Sequence, residues 1–164
     1  MTRRRKVALS AATLITLAIA TVVLWILPAS TWVRLSSSVT ICELDPTLPT
    51  VEASAAAFPI RPYNTWTPIR SSRQLSGSEA ARIVRAFLDA ANNDGGQALC
   101  HEPAYGLIFH LGPIETFRTS VCFECNNYYD RIRSEFRWRG FSDRAPELLD
   151  ALATALPTSA VSPR

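Results

Sequence analysis

The chain has 164 residues, 48% of them hydrophobic and 19% charged, which excludes a large multidomain enzyme and a chain disordered throughout. Lys and Arg number 17 against 14 Asp and Glu, a formal net charge of +3. Arg3, Arg4, Arg5 and Lys6 carry the excess; without them the balance turns slightly acidic, so no nucleic-acid partner is expected.

Residues 1–6 form a basic tail, followed by an uncharged run from Val7 to Leu27 that Pro28 closes. As a helix this run spans about 32 Å, enough for a hydrocarbon core of ~30 Å. Signal-peptide apolar regions are usually only ~7–15 residues long. Leu27-Pro28-Ala29 also lacks the small-x-small pattern of a cleavage site, and Ile41 before Cys42 does not suit a lipid-attachment motif. The expectation is a transmembrane signal-anchor helix over 7–27, with a cleaved signal as the alternative. Arg3 to Lys6 hold the N-terminus in the cytoplasm, and Trp25 and Trp32 suit the outer interface. The lipid bilayer is then the partner of residues 7–27, and the chain beyond residue 33 is extracytoplasmic.

Residues 28–72 read as an extended region, because Pro46, Pro49, Pro59, Pro62 and Pro68 oppose helix. An entry strand is expected at 38–44 and an edge strand at 64–67. The main extracytoplasmic α+β domain is expected over 73–157, and a disordered tail over 158–164. The first helix is predicted at 78–92. Ser76 and Glu79 have capping-box spacing, and Ala80, Ile83, Val84, Phe87, Leu88 and Ala91 make one apolar stripe. Asn92-Asn93-Asp94-Gly95-Gly96 supplies its stop. A second helix at 144–155, capped by Ser142 or Asp143, carries Ala145, Leu148, Leu149, Leu152 and Leu156.

Between them lie three predicted strands, 104–111, 115–123 and 128–134. Gly112-Pro113 marks the first turn, and Asn126-Asn127 suits a two-residue hairpin loop because Asn tolerates positive φ. These turns pair Tyr105 with Val121, Leu107 with Thr119 and Phe109 with Phe117, then Val121 with Ile132 and Cys122 with Arg131. The register sorts Tyr105, Leu107, Phe109, Phe117, Val121, Phe123 and Ile132 to one face. His110, Arg118, Ser120, Cys122, Arg131 and Arg133 fall on the other. The expected architecture is an antiparallel meander with two helices on one face.

The same register brings Cys100 close to Cys125, with Cys122 one turn away and His101 beside them; Cys42 has no assigned partner. Three chemistries fit. Cys100 bonded to Cys125 or Cys122 makes a structural disulfide, suited to an oxidising compartment. Cys122 and Cys125 at C-x2-C spacing, with Cys100 and His101, could grip a tetrahedral Zn²⁺. Redox chemistry fits least well, since the motif ends a strand and does not open a helix. No cofactor is expected, zinc being the alternative.

Cys100-x-x-Pro103, a short hairpin and Cys122-Phe123-Glu124-Cys125 together resemble a group of small, uncharacterised bacterial proteins with a Cys-x-x-Pro segment and a Cys-Phe-x-Cys motif. Val39-Thr40-Ile41-x-x-Leu44-Asp45-Pro46 is similar to that group's entry strand, and the resemblance covers about 38–156. Many of the group follow the Pro with Arg-His; here Ala104 and Tyr105 stand there, so no role for that pair carries over. A bacterial origin makes the membrane the cytoplasmic (inner) one.

Arg131, Arg133, Arg137 and Arg139 recur with period two, broken by Glu135, with Phe136 and Trp138 opposite. With Arg118 they are a candidate anion patch, since guanidinium forks suit phosphate and carboxylate; a solvated polar strand face is the plainer reading. The chain has no Gly-rich phosphate loop and no Gly-x-Ser-x-Gly elbow. Glu102, Glu115 and Glu124 form no pair of known catalytic spacing, so an enzyme is not favoured. The expected role is structural or interaction-type at the cell envelope, the alternative a zinc-binding or thiol-redox module.

Overall fold

The computed structural model describes residues 27–45, 50–61, 65–91, 100, 102–132 and 135–156. The basic tail, all but the end of the uncharged run, the C-terminal tail, the helix stop at 92–96, His101 and Arg133 lie outside them. In chain order the elements are α1 (Ala29–Arg34), β1 (Ser38–Leu44), β2 (Ala57–Arg61), β3 (Thr65–Ser76), α2 (Gly77–Ala90), β4 (Tyr105–Leu111), β5 (Ile114–Cys122), β6 (Asn127–Ile132), β7 (Glu135–Gly140) and α3 (Ala145–Ala155). The fold is α+β, with a curled antiparallel sheet of order β2-β3-β1-β4-β5-β6-β7. The run β4–β6 is the expected three-stranded meander, and β7, which the sequence reading does not include, extends it by a fourth strand. The entry strand β1 is inserted between β3 and β4, so residues 38–76 build the same sheet as the body that follows. No helix among the described residues is long and apolar enough to cross a membrane.

Strand β1 is central because its sequence is apolar on both faces; all its residues but Thr40 are buried. Strand β2 sits at the edge, where Pro59 costs no ladder bond. Strand β3 is much longer than the predicted 64–67 segment. Its pairing with β1 jumps from Glu43↔Ser71 to Leu44↔Ile69, leaving Arg70 as a bulge. Bulges bend a strand and sharpen its twist. Here the bend carries the first half of β3, with β2, across the sheet face opposite the helices. Arg70 pins it by donating from Nε to Oδ2 of buried Asp45 at 2.8 Å.

The helix-covered face holds the main core: Val39 and Ile41 of β1, Tyr105, Leu107 and Phe109 of β4, and Phe117 and Val121 of β5. Against these pack Ala80, Ile83, Phe87 and Ala90 of α2, and Leu148, Ala151, Leu152 and Ala155 of α3. The short α1, which the sequence reading does not include, adds Val33 to this core, and Trp32 leans half-buried against it. Phe87 is the hub, with ring centroids 5.2 Å from Phe109, 6.1 Å from Phe117 and 5.5 Å from Tyr128. Such pairs add about 0.5–1.5 kcal/mol each beyond their buried area.

The pairings Tyr105↔Val121, Leu107↔Thr119 and Phe109↔Phe117 are those read from the sequence. The next hairpin differs. Its loop is Phe123–Asn126, not Asn126-Asn127, and Val121 faces Tyr128 and Cys122 faces Asn127. Asn126 still supplies the left-handed residue, at φ 49°. An even shift preserves the side-chain alternation, so the two faces stay sorted while Tyr128 takes the core place read for Ile132. The helix caps also differ. Neither Ser76 nor Arg144, the residues at the two N-caps, makes a side-chain cap bond, and Glu79 bonds Arg73 at 3.0 Å instead. Leu149 of the second stripe stands 37% exposed, and Ala151 and Ala155 line the buried side.

Candidate functional site

Strand β5 ends at Cys122 and the chain reverses through Phe123, Glu124, Cys125 and Asn126. Cys125 is joined to Cys100 by a disulfide with a Cα–Cα distance of 5.9 Å. The bridge ties the segment entering β4 to the β5–β6 turn, as the hairpin register places it. Asn127, fully buried, donates from Nδ2 to the Cys100 carbonyl at 2.8 Å, fastening the same two segments a second time. The Asn126 N–H reaches the Phe123 carbonyl at 3.2 Å, and the Phe141 N–H reaches the Asn126 carbonyl at 3.2 Å. Phe123 stacks on Phe141 with centroids 5.8 Å apart, which closes the turn over the main core.

Cys122 is a free, buried thiol. Its Sγ accepts the backbone N–H of Cys125 at 3.3 Å, so the tight turn directs the sulfur back toward the bridged residue. Cys100 and Cys125 are thus bonded, and Cys122 meets the backbone of Cys125. The sulfurs of Cys100 and Cys125 bind each other, and a bonded pair offers no thiolate to a metal. Among the described residues no group of three or more His, Cys, Asp or Glu is placed to hold a metal ion.

The opposite sheet face carries the second constellation. Cys42, Leu44, Phe58 and Ile60 form a small core there, with Ile69 and Ile108 at its margin. Strand β2 lies over Gly106, and Ser120 donates from Oγ to the Ile60 carbonyl at 3.4 Å. This face, read from the sequence as polar, is partly roofed. Ser120 and Cys122 on it are 1% exposed. Cys42, left without a partner by the sequence reading, is a free buried thiol; burial pushes its pKa up to about 11, with Arg118 pulling the other way. The signal that could have found this pocket is Gly106 in a strand, which marks a close approach of other atoms.

The candidate anion patch divides. Arg118 is held by Glu115, at 3.0 Å from Nε and 2.6 Å from the terminal nitrogen, and its guanidinium lies 5.6 Å above the Phe58 ring. The chain turns back between β6 and β7, pairing Arg131 with Phe136 and Tyr128 with Arg139. The register thus sets Arg137 opposite Asp130 and places Arg131 and Arg137 on different strands. The period-two alternation read over 131–139 does not run along one strand.

No family model matches the chain, and no curated protein or solved structure matches it.

Proposed function

We propose that this chain is a single-pass membrane protein whose α+β domain lies outside the cytoplasm and acts there as a structural or interaction module of the cell envelope. The observation that supports the compartment is the Cys100–Cys125 bridge, since structural disulfides persist in oxidising surroundings and are rare in the cytosol. The uncharged run ending at Leu27 and the Arg3–Lys6 cluster supply the anchor and its orientation. For interaction the fold offers two sheet edges, β2 and β7. The test is a reporter fused after Arg164 that is active only outside the cytoplasm, together with the thiol state of the purified chain. An active reporter and a bridged Cys100–Cys125 pair are expected; cytoplasmic activity with all four cysteines as free thiols would overturn the reading.

One observation favours a second, thiol-exchange reading: the Cys122 sulfur is aimed at the residue that carries the bridge. The Cys122 thiolate would attack Cys125 Sγ, forming Cys122–Cys125, breaking Cys100–Cys125 and passing a proton to Cys100. No net oxidation occurs in that step. Zinc binding by Cys100, Cys122, Cys125 and His101 requires the bridge to be reduced first. Peptide mapping after mild unfolding distinguishes them: a Cys122–Cys125 isomer supports exchange, and stoichiometric zinc in the reduced protein supports the metal site.

A further inference from the structure

We infer that the end of the domain built by α1, the β4–β5 turn and the adjoining side of α2 rests on the outer leaflet of the membrane. In this arrangement Leu35, Leu111 and Ile114 enter the headgroup–acyl boundary, and Arg34 and Arg85 hold lipid phosphates. The inference rests on the anchor reading above and adds to it a second, lateral contact with lipid.

Position is the first support. Helix α1 starts at Ala29, two residues beyond the end of the uncharged run, and its six residues span roughly 9 Å. Leu35, directly after it, cannot stand far from the point where residues 7–27 end. The next two residues are fastened to the β4–β5 turn. The Ser37 N–H donates to the His110 carbonyl at 2.8 Å, the Gly112 N–H donates to Ser37 Oγ at 3.0 Å, and Ser36 Oγ meets Thr116 Oγ1 at 3.2 Å. The turn therefore travels with the exit of the anchor.

Apolar exposure is the second support. Leu35 is 51% exposed, Leu111 42% and Ile114 65%. Leu111 and Ile114 are register partners flanking Gly112-Pro113, so they stand side by side at the tip. Scattered single exposed apolar side chains need no explanation, but a group at one end of a domain marks an interaction surface. Inserting such groups by ~5–10 Å is the depth at which interfacial segments rest.

Charge is the third. Between α1 and α2 lies an open hollow of about 430 Å³, bordered by Arg34, Ser36, Ser37, Ala81, Arg85 and Leu88. Neither Arg34 nor Arg85 is in an ion pair among the described residues. Two guanidinium groups left to solvent beside an apolar tip match a layer of phosphates lying over acyl chains. The far end differs in character. It carries the disulfide and exposed Glu124, eight residues up β5 and the following turn from Thr116, and β5 alone spans roughly 26 Å.

The test uses the full chain in vesicles of mixed anionic and zwitterionic phospholipid, with a benzophenone amino acid at position 114 in one preparation and at 124 in another. Lipid adducts at 114 at least tenfold above those at 124 are expected. Arg34→Glu with Arg85→Glu, or purely zwitterionic vesicles, should lower the yield at 114 severalfold; a yield indifferent to both overturns the phosphate contact. A chain that resists alkaline carbonate extraction yet gives no lipid adduct at 114 overturns the docking surface and leaves the anchor standing. A chain released by carbonate overturns the anchor, and the docking surface with it.

Discussion

Phe58 occupies the space that a side chain at position 106 would need: a Cβ on Gly106 would fall 2.5 Å from the Phe58 ring. Both residues are buried, and the ring belongs to β2 while the glycine belongs to the central part of the sheet. This contact closes the curled strand pair β2–β3 onto β1, β4 and β5. Gly106→Ala should therefore destabilise the fold by about 1–3 kcal/mol, the usual cost of overpacking a core. Phe58→Leu in the same chain should recover part of that loss, since the smaller side chain leaves room for the methyl group. Urea unfolding of the single and double variants measures it, and a double variant no better than Gly106→Ala alone would show that Phe58 is not the obstacle.

The main core depends on Phe87, whose ring meets Phe109, Phe117 and Tyr128 and which is 3% exposed. Phe87→Ala should cost about 3–5 kcal/mol, the transfer term plus the cavity left behind. Phe87→Leu should cost clearly less. Thermal and urea unfolding would register both; a Phe87→Leu loss as large as that of Phe87→Ala would mean that filling the space contributes nothing and that the ring contacts carry the whole cost.

The Cys100–Cys125 bridge spans a sequence separation of 25. Closing a loop of that size should stabilise the domain by about 3–4 kcal/mol through the unfolded chain. Cys100→Ser with Cys125→Ser should lose that amount, and reduction of the native chain should lose nearly the same. An unfolding midpoint unmoved by either treatment would refute a structural role for the bridge.

Burial raises the Cys42 thiol from its ordinary 9.0 to about 11. A folded-state pKa above the unfolded one means that the native chain binds the proton more tightly. The associated stability is whole below about pH 9 and is lost as pH rises through about 11, some ~2–3 kcal/mol across that window. Wild-type protein should therefore lose more stability than Cys42→Ala between pH 8.5 and 11. Parallel slopes for the two chains would exclude the effect. At pH 8 the thiol should also resist alkylation until the protein unfolds.

Much of the β4–β5 hairpin was legible because Gly112-Pro113 sets one turn and the apolar alternation on both sides allows one register. That register brought Cys100 near Cys125 but left Cys122 open as its partner; the structure selects Cys125. The next turn was misplaced because Asn126 and Asn127 both tolerate a left-handed backbone, while the loop is centred two residues earlier, between Cys122 and Asn127. Strand β3 was largely missed. Thr65–Ser76 contains Pro68 and a polar stretch, and its strand identity comes from neighbours far away in the chain. The Arg131–Arg139 alternation read as one strand because no strong turn residue interrupts it.

The amino-acid sequence by itself determined the periodic elements: the apolar faces of α2 and α3, the β4–β5 register and the nearness of Cys100 to Cys125. These depend on local spacing, which the chain carries wherever it is placed. Only the tertiary structure decided that β1 lies between β3 and β4, that the bulge at Arg70 folds β2 over Gly106, and that Cys42 is sealed beneath that roof. Each of those depends on pairing between segments distant in sequence. Such pairing is chosen by which apolar faces can be buried together, a property of the whole chain and not of any window within it.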